Sequence, residues 1–327
     1  MIIPATVENI ARAARALAAG ELVAFPTETV YGLGANARDA AAVGLLFAAK
    51  GRPADHPVIV HLADTAALPR WARTVPAGAS ALAAAFWPGP LTLILPRADD
   101  VPNNVTGGQQ SVGLRVPAHP TAHALLAEVA VLGCDGVAAP SANRFGRISA
   151  TTAVHVADEF GAAIALILDG GASHHGIEST IIDFSSGDPV LLRPGSITRE
   201  ELTRVLGAAP RSAQAGATRA SGTLASHYAP RTPAKLLPRT ELLAALAGLG
   251  GANAHISVLA HSVTQPPEFE GAWFDAPGES ARYAQQLYSN LRALDAREAD
   301  EIWIEAPPDG PDWVAIGDRL RRATHRD

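Results

Sequence analysis

The chain has 327 residues, 48% of them hydrophobic and 18% charged. That is enough apolar material for one large packed domain plus a smaller one, and too much for intrinsic disorder. Its 26 basic and 32 acidic residues leave a net charge of −6, which excludes a generally basic nucleic-acid binder while leaving room for a local cationic cleft.

The pattern of apolar runs and breakers predicts alternating strands and helices. Leu22–Phe25 reads as a buried strand that leaves into a Gly-punctuated loop before a helix over Asp39–Lys50, stopped by Gly51. A strand at Val58–Leu62 follows, then an Ala-rich helix within Pro76–Phe86 ended by Pro88-Gly89-Pro90. Leu91–Leu95 and Ser111–Val116 read as strands either side of a polar loop, His119–Ala130 as a helix, and Val137–Ala139 as extended. Thr151–Phe160 is helical, Ala165–Leu168, Ser179–Phe184 and Val190–Arg193 are strands, and Thr198–Leu206 is a helix. This interleaving predicts an α/β fold with a mixed sheet.

Composition shifts at Ala208. Residues 208–230 are rich in Ala, Gly, Ser, Pro and Thr, lack periodicity, and read as a linker or lid between a domain over 1–207 and a small α/β domain over 231–327. In that second domain, strands at Lys235–Leu237, His255–Ala260 and Glu301–Glu305 alternate with helices at Thr240–Leu249, Gly278–Leu294 and Trp313–Thr324. A Rossmann-like parallel sheet is expected. The single cysteine, Cys134, cannot form an intrachain disulfide or a cysteine-built zinc site. No apolar run approaches the ~18 residues of a membrane span and no leader is legible, so a cytoplasmic protein without membrane association is expected.

Several segments carry chemistry. Phe25-Pro26-Thr27-Glu28-Thr29-Val30-Tyr31-Gly32-Leu33-Gly34 packs hydroxyls, a carboxylate and a phenol at a strand end, where α/β proteins hold ligands; the same residues also suit a turn with local hydrogen bonds. Lys50-Gly51-Arg52-Pro53-Ala54-Asp55-His56-Pro57 is a stiff cationic loop fit for a polyphosphate or carboxylate, although Lys50 could also merely cap a helix. His61 falls in the apolar strand that follows, as a ligand or as a structural histidine. Arg115, amid apolar neighbours, needs an anionic partner, either an internal carboxylate or a substrate's. Of the 26 basic residues 24 are Arg, and only Lys50 and Lys235 are Lys. A Lys surviving such a bias marks either a site where a planar fork would not serve or a chance survival. Pro140-Ser141-Ala142-Asn143, Glu178-Ser179-Thr180-Ile181-Ile182-Asp183, Leu192-Arg193-Pro194-Gly195-Ser196 and, in the linker, His227-Tyr228-Ala229-Pro230 complete the set.

In this order and spacing, these motifs resemble the YrdC-like family, in the long two-domain form of the threonylcarbamoyl-AMP synthases. The first domain matches over about residues 5–207, and the linker and following unit resemble the second half of that form. The resemblance implies a YrdC-like twisted mixed sheet and an enzyme that joins L-threonine, bicarbonate and ATP into threonylcarbamoyladenylate, releasing pyrophosphate. The product would pass to the tRNA-threonylcarbamoyl transferase machinery for N6-threonylcarbamoyladenosine modification, with room for a weak contact to tRNA. Carried over by motif, Thr29, His61, Arg115, Ala139 and Ser179 would contact threonine. Arg52, His56, Ser111, Ser141, Asn143, Ser149, Arg193 and Tyr228 would contact ATP, with Lys50 and Arg52 catalytic at the phosphates and Mg²⁺ held mainly by the nucleotide. Two positions depart from the family pattern. His56 stands where Asn is usual, and Ser221-Gly222-Thr223 stands where a Pro-Gly-Met run is common. Two other readings are weighed against this one: a nucleotide- or RNA-binding protein of the same fold, for which a threonine pocket would have no purpose, and a carbamoyl-transferring domain.

Overall fold

The computed structural model describes residues 1–214, 216–249 and 255–325. It separates into two units. The first comprises Met1–Phe145, Ala150–His174 and Glu178–Thr223; the second comprises Gly146–Ser149, His175–Ile177 and the chain from Leu224 onward.

The strands of the first unit are β1 (Ile2–Pro4), β2 (Val23–Phe25), β3 (Gly32–Asn36), β4 (Ile59–His61), β5 (Leu91–Pro96), β6 (Ser111–Arg115), β7 (Val137–Ala138), β8 (Leu166–Asp169), β9 (Thr180–Asp183), β10 (Val190–Arg193) and β11 (Arg211–Ser212). They form one sheet in the order β1-β8-β2-β3-β7-β4-β6-β5-β9-β10-β11. Parallel pairs such as β4 with β6 and β5 with β9 alternate with antiparallel ones such as β2 with β3 and β5 with β6.

The two faces of this sheet are buried differently, and that places the site. Side chains alternate across a strand. One set, including Ala24, Leu33, Val60, Leu93, Leu114 and Ile182, joins a core with the helices Ala40–Lys50, Ala77–Phe86 and Ala153–Phe160. The opposite set splits. Val23, Phe25, Val137, Leu166 and Leu168 pack with Ile10, Leu17, Leu125 and Val129 of the helices Val7–Ala18 and Pro120–Val131. Further along that face Ile94 and Ile181 meet Leu192 and Ala220 instead. Over β4, β6, β5 and β9 the face is therefore roofed by loop and linker, not by helix.

The second unit holds β12 (Ala234–Leu237), β13 (Ile256–Ala260), β14 (Ala272–Asp275) and β15 (Glu301–Glu305), a parallel sheet in the order β12-β15-β13-β14. Leu242, Ile256, Val258, Phe269 and Trp303 form a core within it. No helix among the described residues is long and apolar enough to cross a membrane.

Three differences from the sequence reading have physical causes. Gly32–Asn36 is a strand, not a loop leading to a helix. Its glycines hide β propensity, but a Cβ on Gly34 would stand 2.9 Å from the Phe25 ring and 3.0 Å from Val137, so only glycine lets the three strands close up there. The N-terminal helix Val7–Ala18 buries a face of Ile10, Ala13, Ala14 and Leu17, where alanine blurs the apolar period. The second unit also carries a fourth strand, Ala272–Asp275, too short to announce itself between Pro- and Gly-rich loops.

Candidate functional site

Register aligns the predicted residues. His61 of β4 pairs with Arg115 of β6, and β6 runs antiparallel to β5 with Leu114 opposite Leu93, so Arg115 stands beside Thr92. Thr92 pairs with Ile181 of β9, which in turn pairs with Arg193 of β10. A polar row, His61–Arg115–Thr92, thus crosses the neighbouring strands β4, β6 and β5 on the helix-free part of one face, and Arg193 follows beyond Ile181 of β9. Ser179, just before β9, closes the row: its hydroxyl lies 2.7 Å from that of Thr92 and accepts from the Arg193 guanidinium at 3.1 Å. Arg193 also donates to the Ser179 carbonyl through Nε and Nη2 at 3.1 and 2.9 Å.

Arg115 is buried and already partnered. Nη2 donates to Glu28 Oε1 at 2.6 Å, Nη1 to Thr29 Oγ1 at 2.9 Å and Nε to the Gly89 carbonyl at 3.2 Å. Glu28 thus supplies the internal partner that the sequence left open. A guanidinium has five N–H groups, so two remain for a ligand. The hydroxyl protons near it can be assigned. Thr27 donates to the Val30 carbonyl at 2.6 Å, so in its 2.8 Å contact with Thr29 it must accept. Thr29 then has no proton left to give, and toward a ligand it can only accept.

His61 is buried with Nδ1 unpartnered, and its ring meets Phe25 edge-on at 6.2 Å. Burial, reinforced by Arg115, holds its pKa down at about 3, so the imidazole is neutral at physiological pH. Ala139, just after β7, donates its N–H to the Ile59 carbonyl at the start of the same strand, β4, at 3.0 Å.

The cationic loop forms a second cluster. Lys50 ends its helix before Gly51, whose φ of 63° is the left-handed stop glycine provides. Its ammonium is buried and donates to the Ser141 carbonyl at 2.5 Å and to the Asn143 carbonyl. Burial, with Arg52 nearby, lowers its pKa well below the ordinary lysine value. Phe145 joins the cluster: its N–H donates to the Lys50 carbonyl, the Arg52 guanidinium stands 5.6 Å from its ring centroid, and the His56 ring meets it edge-on at 5.1 Å. Burial, then Arg52 and Arg219, depress the His56 pKa, partly opposed by Asp55.

The linker does not hang free of the first unit. Thr218 donates to Asp183 at 2.5 Å, Arg219 and Gln109 exchange two hydrogen bonds, and the Arg219 guanidinium donates to the Gly107 carbonyl at 2.8 Å. Ser221 joins the two clusters: its carbonyl accepts from Arg193 at 2.7 Å and its hydroxyl from Arg52 at 3.3 Å. Beneath it Ile59, Gly113, Ile94 and Ile181 make an apolar floor edged by Ser111, and the space left under Arg219–Ser221 is about 10 Å³, the room one water molecule needs.

Thr29, His61, Arg115, Ala139, Ser179, Lys50, Arg52, His56, Ser111, Ser141, Asn143 and Arg193 therefore all belong to the first unit. Ser149 and Tyr228 belong to the second. There the Ser149 carbonyl accepts from Arg292 at 3.2 Å. Tyr228, at φ 63°, is buried against Tyr288 and His227, with the Arg319 guanidinium 5.3 Å from its ring. The sequence reading left Glu28, Thr92, Phe145 and Gln109 without roles. Thr92 had a signal, a lone hydroxyl in the apolar run Leu91–Leu95; Gln109 had none.

A family model described as threonylcarbamoyl-AMP synthase, C-terminal domain, matches residues 197–324, and one described as telomere recombination matches residues 15–195. The threonylcarbamoyl-AMP synthase of Bacillus subtilis is 40% identical over 329 residues, spanning 96% of this chain and 92% of its own. The chain belongs to the threonylcarbamoyl-AMP synthase family. It is thus an enzyme of the nucleotidyltransferase type, as the motifs led us to expect. The synthase of Pyrococcus abyssi is 39% identical over 93% of this chain and 91% of its own. The crystal structure of P. abyssi Sua5 complexed with L-threonine superposes with a TM-score of 0.91 at 37% identity, over 99% of this chain and 97% of that one. The large mixed sheet and the smaller parallel one are the fold expected for this family.

Proposed function

We propose that this chain condenses L-threonine, bicarbonate and ATP to threonylcarbamoyladenylate and pyrophosphate, working in the cytoplasm and supplying tRNA threonylcarbamoylation. The observation that carries this reading is the continuity of two dissimilar sites. A dipolar cluster at Arg115, Glu28 and Thr29 on one face of the sheet and a cationic cluster at the end of the helix Ala40–Lys50 and in the loop after it are joined through Arg193, Ser221 and Arg52.

The chemistry divides between them. The threonine carboxylate takes the two remaining N–H groups of Arg115, while Thr29 accepts from its amine or hydroxyl and neutral His61 offers Nδ1. The amine, once neutral, attacks the carbon of bicarbonate, water leaves, and a carbamate forms. A carbamate oxygen then attacks the α-phosphorus of ATP, and the bond to pyrophosphate breaks. Charge gathers on the phosphates, where Lys50 and Arg52 stabilise it in a site of low dielectric. The residues supply positioning and electrostatics, with no covalent intermediate. Among the described residues no group of three or more acidic, His or Cys side chains is placed to hold a metal. Mg²⁺ would fit only as the companion of the triphosphate, completed by water, which is its usual habit. The decisive assay follows pyrophosphate release with and without threonine and bicarbonate. Dependence on both is expected, and release indifferent to threonine would sink the reading.

The apolar floor suits the adenosine, yet Arg219–Ser221 covers it, so this segment must lift for the nucleotide to enter and can then close over it. Amide exchange should therefore change on ATP addition at Thr218–Thr223 more than in β5 and β6; uniform protection would remove the lid role.

His56 adds a pH dependence. Its pKa lies below 6.5 in the ATP-free protein, so folding disfavours its charged form and stability falls as pH drops through that range. A bound polyphosphate favours the imidazolium, so ATP binding takes up a proton and the KM for ATP falls on acidification below 6.5. His56→Asn should flatten that trend, measured as KM between pH 5.5 and 8 in ~0.5-unit steps.

A further inference from the structure

We propose that Glu28 makes the pocket selective for a zwitterion, holding Arg115 for the carboxylate end and supplying the negative pole for the ammonium end; this rests on the threonine site proposed above. Three observations support it. First, Glu28 is fixed at both oxygens. Oε1 accepts from Arg115 at 2.6 Å and Oε2 from the Ala118 N–H at 3.1 Å, and its side chain is 6% exposed. It therefore cannot swing aside as a competitor that a substrate carboxylate displaces. Second, although burial alone would raise its pKa, Arg115 and the Ala118 N–H bring it below the ordinary value, so Glu28 is ionised at neutral pH. A buried Arg115 without it would attract any small anion. With it the pocket is close to neutral overall and strongly dipolar. Third, Thr29 can only accept toward a ligand, which adds to the negative pole and suits an ammonium or hydroxyl proton.

The ligand class that matches a fixed cation beside a fixed anion and an obligate acceptor is a free α-amino acid. Simple carboxylates of the same shape satisfy one pole and leave the other desolvated. Glu28 is a positioning and specificity residue here, acting through Arg115 and through its charge.

The test uses the full chain, with L-threonine and its deamino analogue 3-hydroxybutyrate as ligands. Wild type should bind threonine at least tenfold more tightly than it is inhibited by 3-hydroxybutyrate. Glu28→Gln should raise the KM for threonine at least tenfold and collapse that discrimination, leaving the KM for ATP within about twofold. Glu28→Asp keeps the charge and serves if the Gln variant does not fold. It should keep the preference for the zwitterion while weakening threonine. Unchanged discrimination in Glu28→Gln, tighter threonine binding, or equal rises in both KM values would each overturn the proposal. A wild type that releases pyrophosphate without threonine would fail earlier and for a different reason, by removing the functional reading itself.

Discussion

Arg115→Met is expected to abolish threonine-dependent pyrophosphate release and to destabilise the first unit by about 3–5 kcal/mol, the range for removing one partner of a buried ion pair. Arg115 and Glu28 are 5% and 6% exposed and 2.6 Å apart. The variant leaves the Glu28 carboxyl buried without its counter-charge, so burial raises its pKa and folding costs either a desolvated charge or a proton, and the Gly89 carbonyl and Thr29 hydroxyl lose a donor. The two losses can be separated. Adding Glu28→Gln removes the unpaired ionisable group, so Arg115→Met/Glu28→Gln should recover much of the stability at neutral pH while recovering no activity. Urea unfolding of the two variants checks the first point and pyrophosphate release the second. A double variant no more stable than Arg115→Met would mean that the penalty comes from packing rather than from charge. The same pair sets an acid limit. Because the folded pKa of Glu28 is lowered, its contribution is complete above about 4.5 and is lost as pH falls through the lowered value.

How much of this was legible in the sequence depends on the distance over which each interaction acts. The motifs placed the first-unit site residues at strand ends, at a helix end or in the loops between them, because breakers and apolar runs are local signals. Gly51 as a stop after Lys50 is of this kind. Partner choice was not legible. Nothing local pairs Arg115 with Glu28, 87 positions away, rather than with a substrate, and nothing local lays Ser221 between Arg52 and Arg193. Composition marked 208–230 as a linker or lid but could not say which part of it lies on which unit. Thr218–Ser221 are held on the first unit by Asp183, Gln109, Gly107 and the two arginines, and from Leu224 the chain belongs to the second unit. The cationic loop's register was readable; the aromatic Phe145 that meets both Arg52 and His56 was not, because it arrives from a distant turn.

Lys50→Arg should keep the charge and lose turnover by about a hundredfold or more, the scale of removing one preorganised donor at developing charge. The reason is the shape of its slot. The ammonium is buried and divides its protons between the carbonyls of Ser141 and Asn143, which lie on one short turn and suit a compact tetrahedral donor. That leaves one N–H for a phosphate. A guanidinium is planar and larger, so it must push the turn outward, at an overpacking cost of about 1–3 kcal/mol, and it displaces Ser141 and Asn143 together. Burial and Arg52 also disfavour the bare ammonium, a penalty largest below its lowered pKa and relieved when an anion binds. ATP should therefore stabilise the wild type more than the Lys50→Met variant in thermal melts. Lys235 is the internal control. The only other lysine of the chain, it is about half exposed and pairs with Glu301 at 2.7 Å on the second unit's surface. An exposed pair of that kind contributes little, and Arg can replace it. Lys235→Arg should leave turnover within about twofold and Lys50→Arg should not. Equal rates for the two would show that both lysines are survivors of composition and that the point charge at residue 50 has no special place in the reaction.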